Sequence, residues 1–380
     1  MRMCRSLCWL LVCLLFALPP ACGKSGGGAA GSGGAGGESS ETGGGPGGGG
    51  ASETGGASAA GGDSGSGGRT VSGGAMGSGG ATSAGGATGN GGATGSGGAT
   101  GGGAAVTDAG PPVATSGCGA PLPAACNNTT TGSCKLDVNG KTREYFVVLP
   151  TEYDNSTPAP VVFAYHGLGG TAASLLPTGS GRGGYALYGV QPGLPNAVFV
   201  VPQGLAGSDG GTDYGWPNTG GQDIDFVRAM LTWLETNLCV DKARYFSTGM
   251  SYGGMMSENI ACQLPDLFRA IGSMAGSLFS TRNCVEKPIA AWITHGDADT
   301  TVQISGDITA RDMIIAHNGC DTTNTSTVTL TDRTYGDVTC TVYDQCTAGN
   351  YPVIWCPVVG MGHAIPSFAG TEIAKFFAQF

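Results

Sequence analysis

Apolar positions divide the 380-residue chain into three unequal stretches. A dense run covers 7–18, a long tract almost without large side chains follows, and then short apolar bursts alternate with helical spacing. The bursts, at 145–149, 161–165, 197–201, 244–247, 270–274, 289–294 and 353–358, are rich in β-branched and aromatic residues and read as strands. Their near-continuous hydrophobicity predicts strands covered on both faces. Between them, Ile224, Val227, Met230, Leu231 and Leu234 recur at helical spacing, and 255–262, 308–316 and 372–380 read as further helices. Such alternation predicts an α/β chain with a mostly parallel sheet flanked by helices. In sheets of that kind, chemistry gathers just beyond the carboxyl ends of the strands.

Composition explains the two earlier stretches. Arg2 and Arg5 precede the run at 7–18, and Leu18-Pro19-Pro20-Ala21-Cys22 follows it. A positive end, a short apolar core and a small residue before the cut make 1–22 a secretory signal. Ala21-Cys22-Gly23 also resembles a bacterial lipoprotein cleavage box, in which a lipidated Cys22 would tether the chain to a membrane. Pro19 stands where that box prefers an aliphatic residue, so plain secretion stays open. Of the 73 glycines, 40 fall between Gly23 and Gly110, and Gly-Gly-Ala-Thr recurs from Gly79, Gly85, Gly91 and Gly97. These units have almost nothing to bury, and chain entropy of about 1–2 kcal/mol per residue goes unopposed. Residues 23–116 therefore read as a disordered tether and 117–380 as one catalytic domain.

Charge and cysteine content narrow the class further. A formal net charge of −10 argues against nucleic acid as partner. Ten cysteines follow Gly117, namely Cys118, Cys126, Cys134, Cys239, Cys262, Cys284, Cys320, Cys340, Cys346 and Cys356. An even number in an exported domain predicts five disulfides with the pairing open. No C-x-x-C pair is present and no His sits at ligand spacing from a Cys, so no zinc site is expected, and oxidising surroundings argue against a catalytic thiol.

Gly249-Met250-Ser251-Tyr252-Gly253 lies directly after the 244–247 strand and before a helix, the context in which G-x-S-x-G presents a nucleophile. The competing reading makes Ser251 an N-cap. A serine needs a base, and the chain holds four histidines. His166 opens the turn His166-Gly167-Leu168-Gly169-Gly170, suited to presenting backbone N–H groups, and His295 reads as a structural turn histidine. His317, ending a helical stretch, reads as a surface or capping residue. His363 follows the last strand, where a Ser–Asp–His chain order would put the base. The acid comes from Asp297 or Asp299, with Asp299, in an Asp-x-x-Val setting, preferred. Ser251, Asp299 and His363 thus form the expected triad, with the backbone N–H groups of Tyr252 and Leu168 as oxyanion donors. Asp223 and Asp225 precede an amphipathic helix and suit its positive end. Trp216 either packs in the core or walls a substrate pocket.

From Cys118 to Phe380 the chain resembles the secreted feruloyl esterases of carbohydrate esterase family 1, close to the polyhydroxybutyrate depolymerase-like group. The matching stretches include Arg143-Glu144-Tyr145, His166 to Gly170, Gly215-Trp216-Pro217-Asn218 and Asp223-Ile224-Asp225-Phe226-Val227. They continue through Asn237-Leu238-Cys239, Gly249 to Gly254, His295-Gly296, Arg311-Asp312, Asn318-Gly319-Cys320 and Gly362-His363. The resemblance implies an α/β-hydrolase that cleaves hydroxycinnamate esters from arabinoxylan with Ser, Asp and His at the positions above. It implies no metal or organic cofactor. A feruloylated polysaccharide or small ester is the expected partner, and a monomer the expected state. A polyhydroxyalkanoate depolymerase, an acetyl xylan esterase and a non-catalytic carbohydrate-binding surface protein are the alternatives.

Overall fold

The computed structural model describes residues 110–123, 133–177, 186–207, 210–278 and 280–380. The expected signal at 1–22, Cys22, most of the tether and Cys126 lie outside the described residues. In chain order come β1 (Cys134–Val138), β2 (Lys141–Val148), β3 (Ala159–Tyr165), α1 (Ala172–Leu175), β4 (Val198–Pro202), β5 (Leu205–Ala206) and β6 (Tyr214–Gly215). Then follow α2 (Gln222–Asn237), β7 (Val240–Met250), α3 (Tyr252–Gln263), β8 (Ala270–Met274), β9 (Ala290–Gly296) and α4 (Ser305–Asn318). The chain closes with β10 (Ser326–Asp332), β11 (Gly336–Tyr343), β12 (Val353–Val358) and α5 (Ala369–Phe377).

Ten strands form one sheet in the order β1-β2-β4-β3-β7-β8-β9-β12-β11-β10. The run β4-β3-β7-β8-β9-β12 is parallel throughout, and the pairings outside it are antiparallel. Alternate residues of the parallel strands feed two cores, as a period of two requires. Val161, Phe163, Tyr165, Val198 and Val200 pack with Phe226, Met230, Ile260 and Ile314, so α2, α3 and α4 cover that face. Val162, Ala164, Phe199 and Val201 pack with Leu175, Ile373, Phe376 and Phe377, which places α1 and α5 on the other. A mostly parallel sheet enclosed in this way is the α/β-hydrolase architecture.

Each expected apolar strand is present, β7 being much longer than its apolar centre. The sequence reading lacks β1, β10 and β11. In β10 only Asp332 is buried and Leu330 half-buried, and in β11 only Val338 and Cys340 are buried, so the apolar alternation of this Thr-rich hairpin is too short to stand out. The helix expected at 372–380 begins earlier, at Ala369.

Four disulfides pair Cys118 with Cys239, Cys262 with Cys284, Cys320 with Cys346 and Cys340 with Cys356. Cys134 is also disulfide-bonded. Such bonds fit an oxidising compartment. The boundary drawn at 116/117 shifts. Val113 N–H donates to Asp241 Oδ1 at 2.8 Å, Ala114 bridges to Asp241, and Thr115 Oγ1 donates to Leu238 O at 2.6 Å. Residues 113–116, counted with the tether by composition, therefore belong to the folded part.

Candidate active site

Three adjacent parts of the sheet deliver the expected residues to its carboxyl edge. The first is the turn from β7 to α3. Ser251 has φ 59° and ψ −123°, a conformation that L side chains rarely adopt. Glycine allows the sharp reversal around it. A Cβ at Gly249 would run into the Gly253 backbone, and one at Gly253 into the carbonyl oxygen of Tyr165. Ser251 N–H donates to Met274 O at 2.9 Å, which ties the turn to the end of β8. Ser251 takes the N-cap position of α3, its carbonyl accepting the Met255 N–H at 2.9 Å, but its side chain caps no helix N–H.

The second and third parts are the loops after β9 and β12. His363 Nδ1 lies 2.6 Å from Asp299 Oδ2, and the N–H groups of Thr301 and Val302 donate to Asp299 Oδ1 at 2.8 and 2.9 Å. Burial alone would raise the Asp299 pKa. The Val302 amide, His363 and the Thr301 amide outweigh it and hold the carboxyl below the usual range. Asp297 is exposed and accepts the Gly360 N–H at 2.6 Å, bracing the loop that carries His363. Of the two candidate acids, Asp299 is thus the one in contact with the imidazole. With Nδ1–H given to Asp299, His363 Nε2 is the ring atom with a lone pair for a proton. No hydrogen bond joins Ser251 Oγ to His363 among the described residues. Catalytic contacts of this kind commonly tighten only when substrate binds.

The glycine-rich loop after β3 abuts the serine, since a Cβ on Gly167 would sit 3.6 Å from Ser251 Cβ. Gly170 N–H closes a tight turn on Gly167 O at 3.0 Å, with Gly169 at φ 71°. The Leu168 N–H at its apex makes no hydrogen bond among the described residues, and its side chain is exposed. Tyr252 opens α3, so its amide belongs to the positive end of that helix. His166 is buried beneath the loop. Its Nδ1 bonds Gly167 O at 2.8 Å and its Nε2 accepts the Gly204 N–H at 3.0 Å, so it braces the turn as a neutral ring. Burial pushes its pKa below the ordinary imidazole value, against the hydrogen bond to Gly167.

Trp216 does not wall a pocket. Its side chain is 2% exposed, its Nε1 donates to His166 O at 2.8 Å, and its ring meets Tyr165 edge-on at 5.1 Å. It supports the loop from below. Asp225 is exposed in the first turn of α2, as expected, but Asp223 is fully buried and paired with Arg143 at 2.8 Å. His317 is half-buried in the last turn of α4.

Behind the acid lies a buried polar group that sequence reasoning missed. His295 Nδ1 is 2.8 Å from Asp307 Oδ2, and its Nε2 is 2.9 Å from Val302 O and 3.3 Å from Asp299 Oδ2. Glu258, on α3, accepts from Ser273 Oγ at 2.7 Å. A detectable signal exists: Asp307 shares a helix face with Ala310 and Ile314, so an acid occupies the buried phase of α4.

A cavity of about 410 Å³ opens beside these loops, lined by Met255, Ser277, Leu278, Val302, Ser305 and Thr309 among others. Its size and mixed lining suit a small organic group. Among the described residues, no group of three or more His, Cys, Asp or Glu could hold a metal ion.

The profile described as the prolyl oligopeptidase family matches residues 196–301. Feruloyl esterase D of Neurospora crassa is 31% identical over 279 residues, covering 70% of this chain and 90% of that protein. Feruloyl esterase C of Emericella nidulans is 34% identical over 206 residues, covering 54% of this chain and 72% of its own length. Among solved structures, the acetyl xylan esterase from Aspergillus awamori covers 66% of this chain and 100% of its own, at 18% identity and a TM-score of 0.47. Because the match to feruloyl esterase D spans nearly that whole protein, this chain belongs to the feruloyl esterase family and is a carboxylic ester hydrolase.

Proposed function

We propose that the protein releases hydroxycinnamic acids from plant cell-wall polysaccharide of the xylan type through an acyl-enzyme on Ser251. Ser251 Oγ attacks the ester carbonyl while His363 Nε2 takes its proton. Asp299 holds the imidazole in the required tautomer and stabilises the cation that forms. The N–H groups of Leu168 and Tyr252 receive the developing oxyanion. His363 then protonates the leaving sugar oxygen, which departs as the alcohol, and water activated by the same ring frees the acid. The observation that carries the reading is the 2.6 Å contact between His363 Nδ1 and Asp299 Oδ2, formed from loops after two different strands. The cavity beside the acid loop is offered as the place for part of the substrate.

The proposal extends to placement. Residues 1–22 direct export, the Gly-rich tract holds the enzyme at a distance, and the catalytic domain runs from about Val113 to Phe380. Cys22 becomes a lipidated N-terminus that tethers the protein to the cell surface. The mass of the mature N-terminal peptide tests this, with an acylated Cys22 expected and an unmodified N-terminus contradicting the anchor.

The substrate assignment is tested by a panel run on the purified enzyme. Methyl ferulate and feruloylated arabinoxylan are expected to be hydrolysed with the highest kcat/KM. Acetate release from acetylated xylan with ferulate untouched, or clearing of polyhydroxybutyrate films, would overturn it in favour of the corresponding esterase or depolymerase.

A further inference from the structure

Asp299 Oδ2 has a second imidazole beside it. His363 Nδ1 approaches at 2.6 Å, and His295 Nε2 at 3.3 Å. The two rings differ in setting. His363 is about one-fifth exposed, whereas His295 is fully buried. A buried imidazole normally stays neutral, one nitrogen donating and the other accepting. His166 does so here. His295 cannot follow it, because both of its nitrogens face acceptors. Val302 O, 2.9 Å from Nε2, can only accept, and Asp307 Oδ2 lies 2.8 Å from Nδ1.

The state of Asp307 follows from its other oxygen. Asp307 Oδ1 and Glu258 Oε2 are both buried without a donor among the described residues. Glu258 feels the charge of Asp307, and one proton shared between the two carboxyl groups would give both atoms a partner. Burial, and then the charge of Asp307, push the Glu258 pKa well above the usual range, so that proton sits on Glu258. Asp307 is left to accept from His295 Nδ1–H. For His295 itself, burial opposes the charge, but the hydrogen bond and charge of Asp307, the Val302 carbonyl and the charge of Asp299 outweigh it and raise its pKa. Among the described residues, the ion pairs of His295, Asp299 and Asp307 run only to one another and to His363.

We infer that His295 is a permanently protonated positioning residue, an imidazolium held between Asp307 and Asp299 that tunes how strongly Asp299 draws a proton onto His363. This rests on the assignment of His363 as base and Asp299 as its acid. A cation behind Asp299 keeps that carboxylate ionised and takes up part of its field, which would otherwise act on His363 alone.

Two measurements test this. In the full-length protein with ¹⁵N-labelled histidine, ring nitrogen shifts report each of the four rings separately. One ring is expected to have both nitrogens protonated at pH 8, and its signals should vanish in His295→Gln. A neutral His295 ring at pH 8 overturns the inference, and the wild-type spectrum alone suffices should the variant fold poorly. The second readout is the acid limb of kcat/KM against pH. It should move up by roughly 0.5–1 pH unit in His295→Gln and in Asp307→Asn. Glu258→Gln, which replaces a neutral acid by an isosteric amide, should leave the limb in place. A limb that stays put in both of the first two variants, whatever the loss in kcat, shows packing alone and contradicts the inference. Failure of the triad itself looks different, because Ser251→Ala would then retain turnover.

Discussion

Ser251, Asp299 and His363 owe their positions to different local devices, and each device suggests a measurement. Asp299 collects two backbone amides and an imidazole, so its carboxylate is oriented as well as charged. Asp299→Asn should lower kcat by about 10³–10⁴-fold, by presenting the wrong partner to Nδ1. Asp297→Asn should leave kcat within about tenfold, since Asp297 braces the Gly360 amide and does not touch the ring. Either result reversed would move the acid to Asp297. The depressed pKa of Asp299 also makes it a stabilising group above its unfolded value of about 3.9, and that stability is lost as pH falls through the folded value. Thermal melts of Asp299→Asn should therefore decline less steeply than wild type between about pH 4 and 2. The contact of His363 with Asp299 was readable because strand context and chain order both pointed to it. Glu258 was not, because nothing adjacent in sequence marks a carboxyl whose partner arrives from another element, and Asp307 left only the faint sign of an acid in the buried phase of α4. Trp216 was ambiguous for a related reason: an aromatic in a Gly-rich loop gives no hint of which side it faces.

At the scale of elements, the parallel strands were legible because burial on both faces leaves continuous apolar runs, as in β4 and β8. The β10–β11 hairpin escaped because Thr327, Thr329, Thr339 and Thr341 present a polar face to solvent. The junction of β2 and α2 rests on a buried ion pair, Arg143 with Asp223, and Arg143 also stacks 4.2 Å over Phe226. Burial raises the Asp223 pKa despite the nearby guanidinium, so the carboxylate depends on its partner. Arg143→Met should cost about 3–5 kcal/mol in denaturant titration, and adding Asp223→Asn should recover much of that. An additive double variant would show that the two groups do not stabilise each other. The elbow is equally specific: Gly253→Ala should destabilise by at least about 2 kcal/mol, because the new methyl meets the Tyr165 carbonyl.

For the molecule as a whole, composition began the folded part too late. A Gly- and Ser-rich segment looks alike whether free or fastened, and only the bonds to Leu238 and Asp241 distinguish 113–116. Cutting the chain before Gly117 in place of Val113 should lower stability by about 1–3 kcal/mol, read as a lower Tm, while kcat on a soluble ester stays unchanged. An unchanged Tm would return those residues to the tether. The four described disulfides fit an oxidising exterior.

The assignment of the nucleophile is tested most directly by treating the purified protein with a fluorophosphonate and mapping the adduct by peptide mass spectrometry. Stoichiometric phosphonylation of Ser251 is expected, with ester turnover lost in step and Ser251→Ala both unlabelled and inactive. Modification at another residue, or undiminished turnover in Ser251→Ala, would contradict it.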